Sequence, residues 1–296
     1  MIGVLRDVSV TCFFTSYAVV LGLELLRLAG RIPGRAVAVI AMTAVGIFTH
    51  VVFLSIGSDA DGGWLASWSE WSLLIALVLA VCFLGNYLRR PETIVGLFFL
   101  PAVLATIALA VAVRSWPPFP RDQAAGIWRT IHGGSMMIGV AVVIGGFLAG
   151  LMCLVQSWRL KNHRAGSALK LPTMETLLRW NRSSMIAGAA AVGVGLVSGV
   201  VMNWNRWGHV GWTSGGVLLS AGLFAWLVAA TGIDAFFGTA HRNRRGVWMT
   251  IAAGGFLVMT MAGVLADRHV GGGDARPGDA MPDDSRANVP LHRSDR

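Results

Sequence analysis

"HGGSMMIGVAVVIGGFLAGLMCLVQS", residues 132–157, runs without a single Lys, Arg, Asp or Glu. An α-helix rises 1.5 Å per residue, so about 20 apolar residues cross the roughly 30 Å hydrocarbon core of a bilayer, and this stretch is long enough. A membrane β-barrel would show short alternating segments of about ten residues instead. Outward from it, runs of the same kind lie at residues 8–29, 36–56, 68–88, 93–113, 183–203, 215–239 and 247–266. The pattern predicts an all-α fold, a polytopic membrane helical bundle of about eight transmembrane helices. The 296 residues are 55% hydrophobic and 13% charged, with a mean hydropathy of +0.64, a balance foreign to soluble domains. The opening "MIGVLRDVSVTCFF" leads into the first helix without the small-residue cleavage site of a signal peptide.

The formal charge of +9 is explained by where the basic residues stand, and no nucleic-acid partner is predicted. Arg27, Arg31 and Arg35 fall between runs one and two, Arg89 and Arg90 between three and four, and Arg242, Arg244 and Arg245 between seven and eight. Between five and six lies "RLKNHRAGSALKLPTMETLLRWNR", read as the longest basic loop. Cytoplasmic loops collect Lys and Arg, so these loops are predicted inside and both termini outside. "GSDADGGWLASWSE", "RSWPPFPRDQAAGIWRTI" and "NWNRWGHVGW" are then external. Residues 1–124 form a first set of four helices and residues 125–270 a second. Residues 271–296, rich in Gly, Pro and mixed charge, read as a disordered external tail.

Phosphate loops, nucleophile elbows and paired carboxylates are missing from the sequence, so hydrolases and kinases find no support. Cys12, Cys82 and Cys153 stand singly in apolar helices, without CxxC or CxxCH, and read as small buried residues. "GFLAG" at 146–150 and "GLVSG" at 195–199 are small-xxx-small patterns that let helices approach closely. Glu24 reads as ion-paired with a neighbouring Arg or snorkelling.

The outer loops gather Trp64, Trp68, Trp71, Trp116, Trp128, Trp204, Trp207 and Trp212 with His209, while His132 opens the fifth helix and His269 follows the eighth. Interfacial tryptophans form belts for reasons of solubility alone, and that reading stands beside a functional one. Ionisable groups in spanning segments tend to mark function. Two imidazoles across a flat cavity walled by indoles would hold a haem iron axially, with aromatic faces over the porphyrin. A bare-ion site would favour closely spaced ligands such as HxxxH, which do not occur. His50, in the second helix, fits either helix packing or ligation. Asp234 and His241 are seven apart, on one face of the seventh helix near its inner end.

These residues resemble the cytochrome c assembly protein family, the CcsA/ResC group of haem-handling membrane proteins, and in particular its HemX-like branch. "WRTIHGGSMMIGVAVVIGGFLAGLMCLVQSWRLK", "LPTMETLLRWNRSSMIAGAAAVGVGLVSGVVMNWNRWG" and "AHRNRRGVWMTIAAGGFLVMTMAGVLADRH" carry the likeness, over about residues 125–270. The resemblance implies that His132 and His269 are the two outer histidines that ligate a non-covalent b-type haem. Trp128, Trp207 and Trp212 would be its aromatic platform, and His241 would be tied to a haem position within the membrane. His50 would be the partner of His241, although the two fall at opposite ends of their helices. In the family's tryptophan motif an acid follows the last Trp, whereas Thr213, Ser214 and Gly215 stand there in this sequence.

The function so implied is that of an assembly or haem-delivery factor in cytochrome c biogenesis, not an enzyme, in a bacterial inner membrane. Its expected partners are a ResB/CcsB-like membrane subunit, apocytochrome c and the lipid bilayer. Two alternatives accompany it: a HemX-like regulator or scaffold without haem, and a b-type electron-transfer subunit.

Overall fold

The computed structural model describes residues 9–30, 33–57, 67–116, 126–162, 170–208, 212, 215–236 and 247–259. Among them the chain is helical throughout, in eight elements: α1 (Val10–Ala29), α2 (Arg35–Gly57), α3 (Trp68–Arg89), α4 (Gly96–Ala112), α5 (Gly126–Lys161), α6 (Met174–Trp207), α7 (Gly215–Phe236) and α8 (Val247–Met259). Each falls on one of the apolar runs. Helices α1, α2, α3, α5 and α6 are long and apolar enough to cross a membrane, and α4, the Val217–Ile233 part of α7 and α8 are shorter apolar stretches.

Large apolar side chains on the outer faces of the helices are open to the surroundings, among them Val37 at 70%, Phe48 at 62%, Val197 at 65% and Val258 at 68%. A monomer in water rarely tolerates apolar surface on that scale, whereas a bilayer solvates it. The chain is therefore a multi-pass membrane protein. Cys12 and Cys82 share this outer surface, and only Cys153 is buried in the protein, so two of the three cysteines depart from the expectation of burial.

Inside, two apolar clusters fill the bundle. The larger is built by Phe13, Tyr17, Leu79, Phe83, Leu100 and Ile107 of α1, α3 and α4, and it continues into α5 through Leu148 and Met152. The smaller joins Val143 of α5 to Val192 of α6, Leu223 and Leu227 of α7, and Leu257 of α8. Helix α5 thus contributes to both.

The boundaries of α5 and α6 differ from the sequence reading. Helix α5 begins at Gly126, so His132 sits in its second turn and does not open it. Helix α5 runs on to Lys161 and helix α6 begins at Met174, so half of the expected long basic loop is helical. The start of α6 is set by Thr173, whose extended backbone and hydroxyl, accepting from the Thr176 amide at 3.4 Å, form an N-cap just after Pro172. The basic composition of the segment hid this short signal. Thr173→Ala is expected to cost about 1 kcal/mol, seen as a modest fall in thermal midpoint by circular dichroism in detergent. An unchanged midpoint would show that the cap adds nothing. At its other end α6 runs on through Trp207, so Asn203–Trp207 of "NWNRWGHVGW" is helix. Gly208 closes it at φ 67°, a left-handed turn in which glycine carries no Cβ penalty.

The chain's up-and-down course sorts the ends. Trp68 and Trp71 at the start of α3, His132 near the start of α5 and Gly199 near the end of α6 meet at one end of the bundle. The α3 start is held there by a reciprocal capping box between Ser67 and Glu70. Arg27, Arg35, Arg89, Arg90, Arg159, Lys161 and Lys170 belong to the opposite helix ends.

Candidate functional site

His132 is half-buried on α5, facing α6. Its Nδ1 lies 2.7 Å from the Gly195 carbonyl oxygen. A carbonyl only accepts, so Nδ1 is the donor, and in the neutral imidazole Nε2 keeps its lone pair. The Ser198 hydroxyl, 2.7 Å from the Val194 carbonyl oxygen, also lies 3.0 Å from the Gly195 oxygen and shares its single proton between the two.

The approach is permitted by the small residues of "GLVSG". A β-carbon on Gly199 would lie 3.0 Å from both Nδ1 and Cε1 of His132, and one on Gly195 would lie 2.9 Å from the Met136 methyl. The stripe read as helix packing is indeed at a close helix contact, and it is also the seat of the histidine. Its counterpart on α5 behaves in the same way, with Gly146 against Ser184 and Thr250 and Gly150 against Ile251.

Trp71 of α3 lies directly against α5 at Gly133, where an added β-carbon would come within 2.7 Å of its ring. It is therefore a neighbour of His132, a pairing that nothing in the local sequence disclosed. Trp128 precedes His132 by one helical turn and is half-buried on the same side of α5. Trp204 and Trp212 are exposed, at 62% and 63%. Trp207 ends α6, and its side chain lies outside the described residues, as do His209, His241 and His269.

His50 sits elsewhere. It is fully buried in the first half of the bundle, stacked on Phe13 with ring centroids 4.1 Å apart and planes 3° from parallel, and its Nδ1 is 3.5 Å from the Tyr17 hydroxyl. Helix α2 packs principally on α1 and α3, so the structure does not bring His50 to His132. The packing reading accounts for the ring and for Nδ1, while Nε2 is buried with no hydrogen-bond partner. Among the described residues no group of three or more His, Cys, Asp or Glu side chains gathers as a bare metal ion would require.

Glu24 is ion-paired, as expected, with Arg35 of α2 and, at 3.8 Å, with Arg27. The sequence did not disclose the second role of Arg27, which reaches across to the α3–α4 turn and donates to the carbonyls of Thr93, at 3.0 Å, and Glu92.

The arrangement at His132 is that of a Lewis base. An oriented imidazole, its proton held on one nitrogen by a fixed carbonyl, presents the other nitrogen to a metal, the pattern by which histidine ligands are commonly positioned. The Trp71 indole of α3 lies at the next residue, Gly133, and Trp128 stands one turn before His132 on α5. A sequence profile of the cytochrome c assembly protein family matches residues 38–266, from the first turn of α2 onward, so the likeness also takes in first-half helices whose local sequence shows little of it. Neither a curated protein nor a solved structure matches the chain. With more than half of its length matched, the chain belongs to the cytochrome c assembly protein family, and its role lies in cytochrome c biogenesis.

Proposed function

We propose that this membrane protein binds a non-covalent b-type haem and handles it during cytochrome c assembly, with His132 and His269 as the axial ligands. The observation that carries the proposal is the His132–Gly195 hydrogen bond, which leaves Nε2 as the metal-directed nitrogen at the tryptophan-bearing end of the bundle. The residues present fit a haem on that side. His132 would hold the iron, and Trp128, Trp207 and Trp212, with Trp71 added by the structure, would shield the ring from lipid and water. Bound haem would supply an iron with two axial positions and vinyl groups to which cysteine thiols add. The chain's own part is to bind, orient and enclose. Thioether formation needs apocytochrome thiols brought to that face, so the protein is an assembly factor and not a self-sufficient enzyme, working with a ResB/CcsB-like membrane subunit. The basic helix ends are cytoplasmic by the positive-inside rule, which puts His132 on the outer face of a bacterial inner membrane with both termini outside.

Protein purified in detergent from haem-replete cells is expected to show a b-type pyridine haemochrome, weakened in both His132→Ala and His269→Ala. No haem in the wild type would sink the proposal, and full retention in either variant would sink that ligand assignment. The HemX-like reading without haem rests on Thr213, Ser214 and Gly215 in place of the motif's acid, and a haem-free wild type would favour it.

A further inference from the structure

At the opposite end from His132 the bundle holds a cavity of about 400 Å³, walled by Arg90 and Glu92 of the α3–α4 turn, Gln156 and Arg159 of α5, and Lys170 and Thr173 of the segment leading into α6. Gln156 lies 24 residues after His132 on one helix, about 36 Å along its axis, so the two places are separated by a membrane thickness. The walls are tied together by the Ile94 amide, which donates to the Lys170 carbonyl at 3.0 Å.

Three cations and one acid line the cavity. Arg159 is buried, 7% exposed, whereas Arg90 and Lys170 are exposed at the rim. Thr173 is the N-cap of the 34-residue helix α6, so the positive end of that helix also faces the pocket. The first-turn acid of α6, Glu175, is engaged on the surface by Arg179 at 2.9 Å. Guanidinium, ammonium and a helix N-terminus together are the donors that bind phosphate oxygens.

Gln156 adds a neutral amide to the wall. The surroundings are apolar on the outside: Leu160, 51% exposed, lines the pocket and Trp158, 54% exposed, stands two residues before it. Such side chains at the end of a spanning helix lie at the headgroup level, where acyl chains begin.

We propose that this pocket binds the phosphodiester headgroup of an anionic phospholipid. The site is independent of the haem reading. Its test is native mass spectrometry of the full chain, delipidated in detergent and titrated with phosphatidylglycerol or phosphatidylcholine. The wild type is expected to retain one phosphatidylglycerol preferentially. Arg90→Gln/Lys170→Gln, both at exposed positions, weakens that binding on the order of 25-fold, about fivefold for each charge removed near a lipid surface. Arg114→Gln/Arg129→Gln, which removes as many charges at exposed positions of the other end of the bundle, leaves it unchanged. Equal retention of phosphatidylcholine, or wild-type binding by the double variant, overturns the proposal. Displacement of the lipid by soluble glycerol phosphate or inorganic phosphate at similar concentration overturns the lipid as the source of the ester.

Discussion

Glu24→Ala is expected to destabilise the protein by about 3–5 kcal/mol, the cost of removing one partner from a buried ion pair. The Glu24 side chain is fully buried, with Arg35 against one oxygen and Arg27 3.8 Å from the other, and the two arginines are themselves only 12% and 15% exposed. Without the carboxylate, two guanidinium groups share a site from which water is largely excluded, and their repulsion is poorly screened. The α4 backbone closes the site, since a β-carbon on Gly96 would come within 2.9 Å of Glu24 Cγ. The loss extends to α3 and α4, because the same Arg27 holds the turn between them. Glu24→Leu/Arg35→Leu, which removes both charges and fills the volume, should recover much of the stability. Thermal unfolding in detergent or nanodiscs checks both, and a Glu24→Ala midpoint equal to wild type would show that the pair is not energetically coupled to the fold.

Gly199→Val is expected to weaken the proposed haem binding by about 10- to 100-fold while leaving the bundle folded, the range seen when a ligand histidine loses its orienting partner. A β-carbon at 199 already lies 3.0 Å from two atoms of the His132 ring, and the branches of valine must push the ring aside. The Nδ1 bond to Gly195 then lengthens or breaks, and the tautomer and direction of Nε2 are no longer fixed. Gly199→Ala, which needs a shift of a few tenths of an ångström, gives a smaller effect of the same sign. Haem titration of the apo protein supplies the affinity, and the helical circular-dichroism signal supplies the control for folding. Wild-type affinity in Gly199→Val would mean that the Gly195 carbonyl does not position the ligand.

Most helices were legible because a bilayer imposes one simple demand, about 20 apolar residues, and each run meets it or nearly so. Several of their starts were legible too, at α2, α3, α7 and α8, where polar or charged residues break the apolar run. Trp68 was placed correctly as a helix start, and the capping box of Ser67 and Glu70 explains why. Met174 was missed because its signal, a lone Thr cap, lay inside a basic stretch whose charges pointed to a loop. At the candidate site, His132 stood out by residue type and position. Its partner did not, since the Gly195 carbonyl is 63 residues away and a backbone oxygen carries no sequence signature. Trp71 against Gly133 was hidden for the same reason: helix neighbours across a bundle are set by how its faces pack, and periodicity in one helix does not name the face opposite. The pocket was beyond sequence reading too, because Arg90, Arg159 and Lys170 come from three separate segments and each was already explained by topology.

Helix α5 has a mechanical consequence. Because its side chains are embedded in both apolar clusters, the bundle has a common strut that joins the first half, along α3 and α4, to the second. At the flank of the second half α7 packs on α6 and is tied to α8 by the Trp226 indole, which donates to the Met249 carbonyl. A flat, rigid ligand entering from that side would have to part this latch between α7 and α8, while the post that carries His132 keeps its seat in the first half.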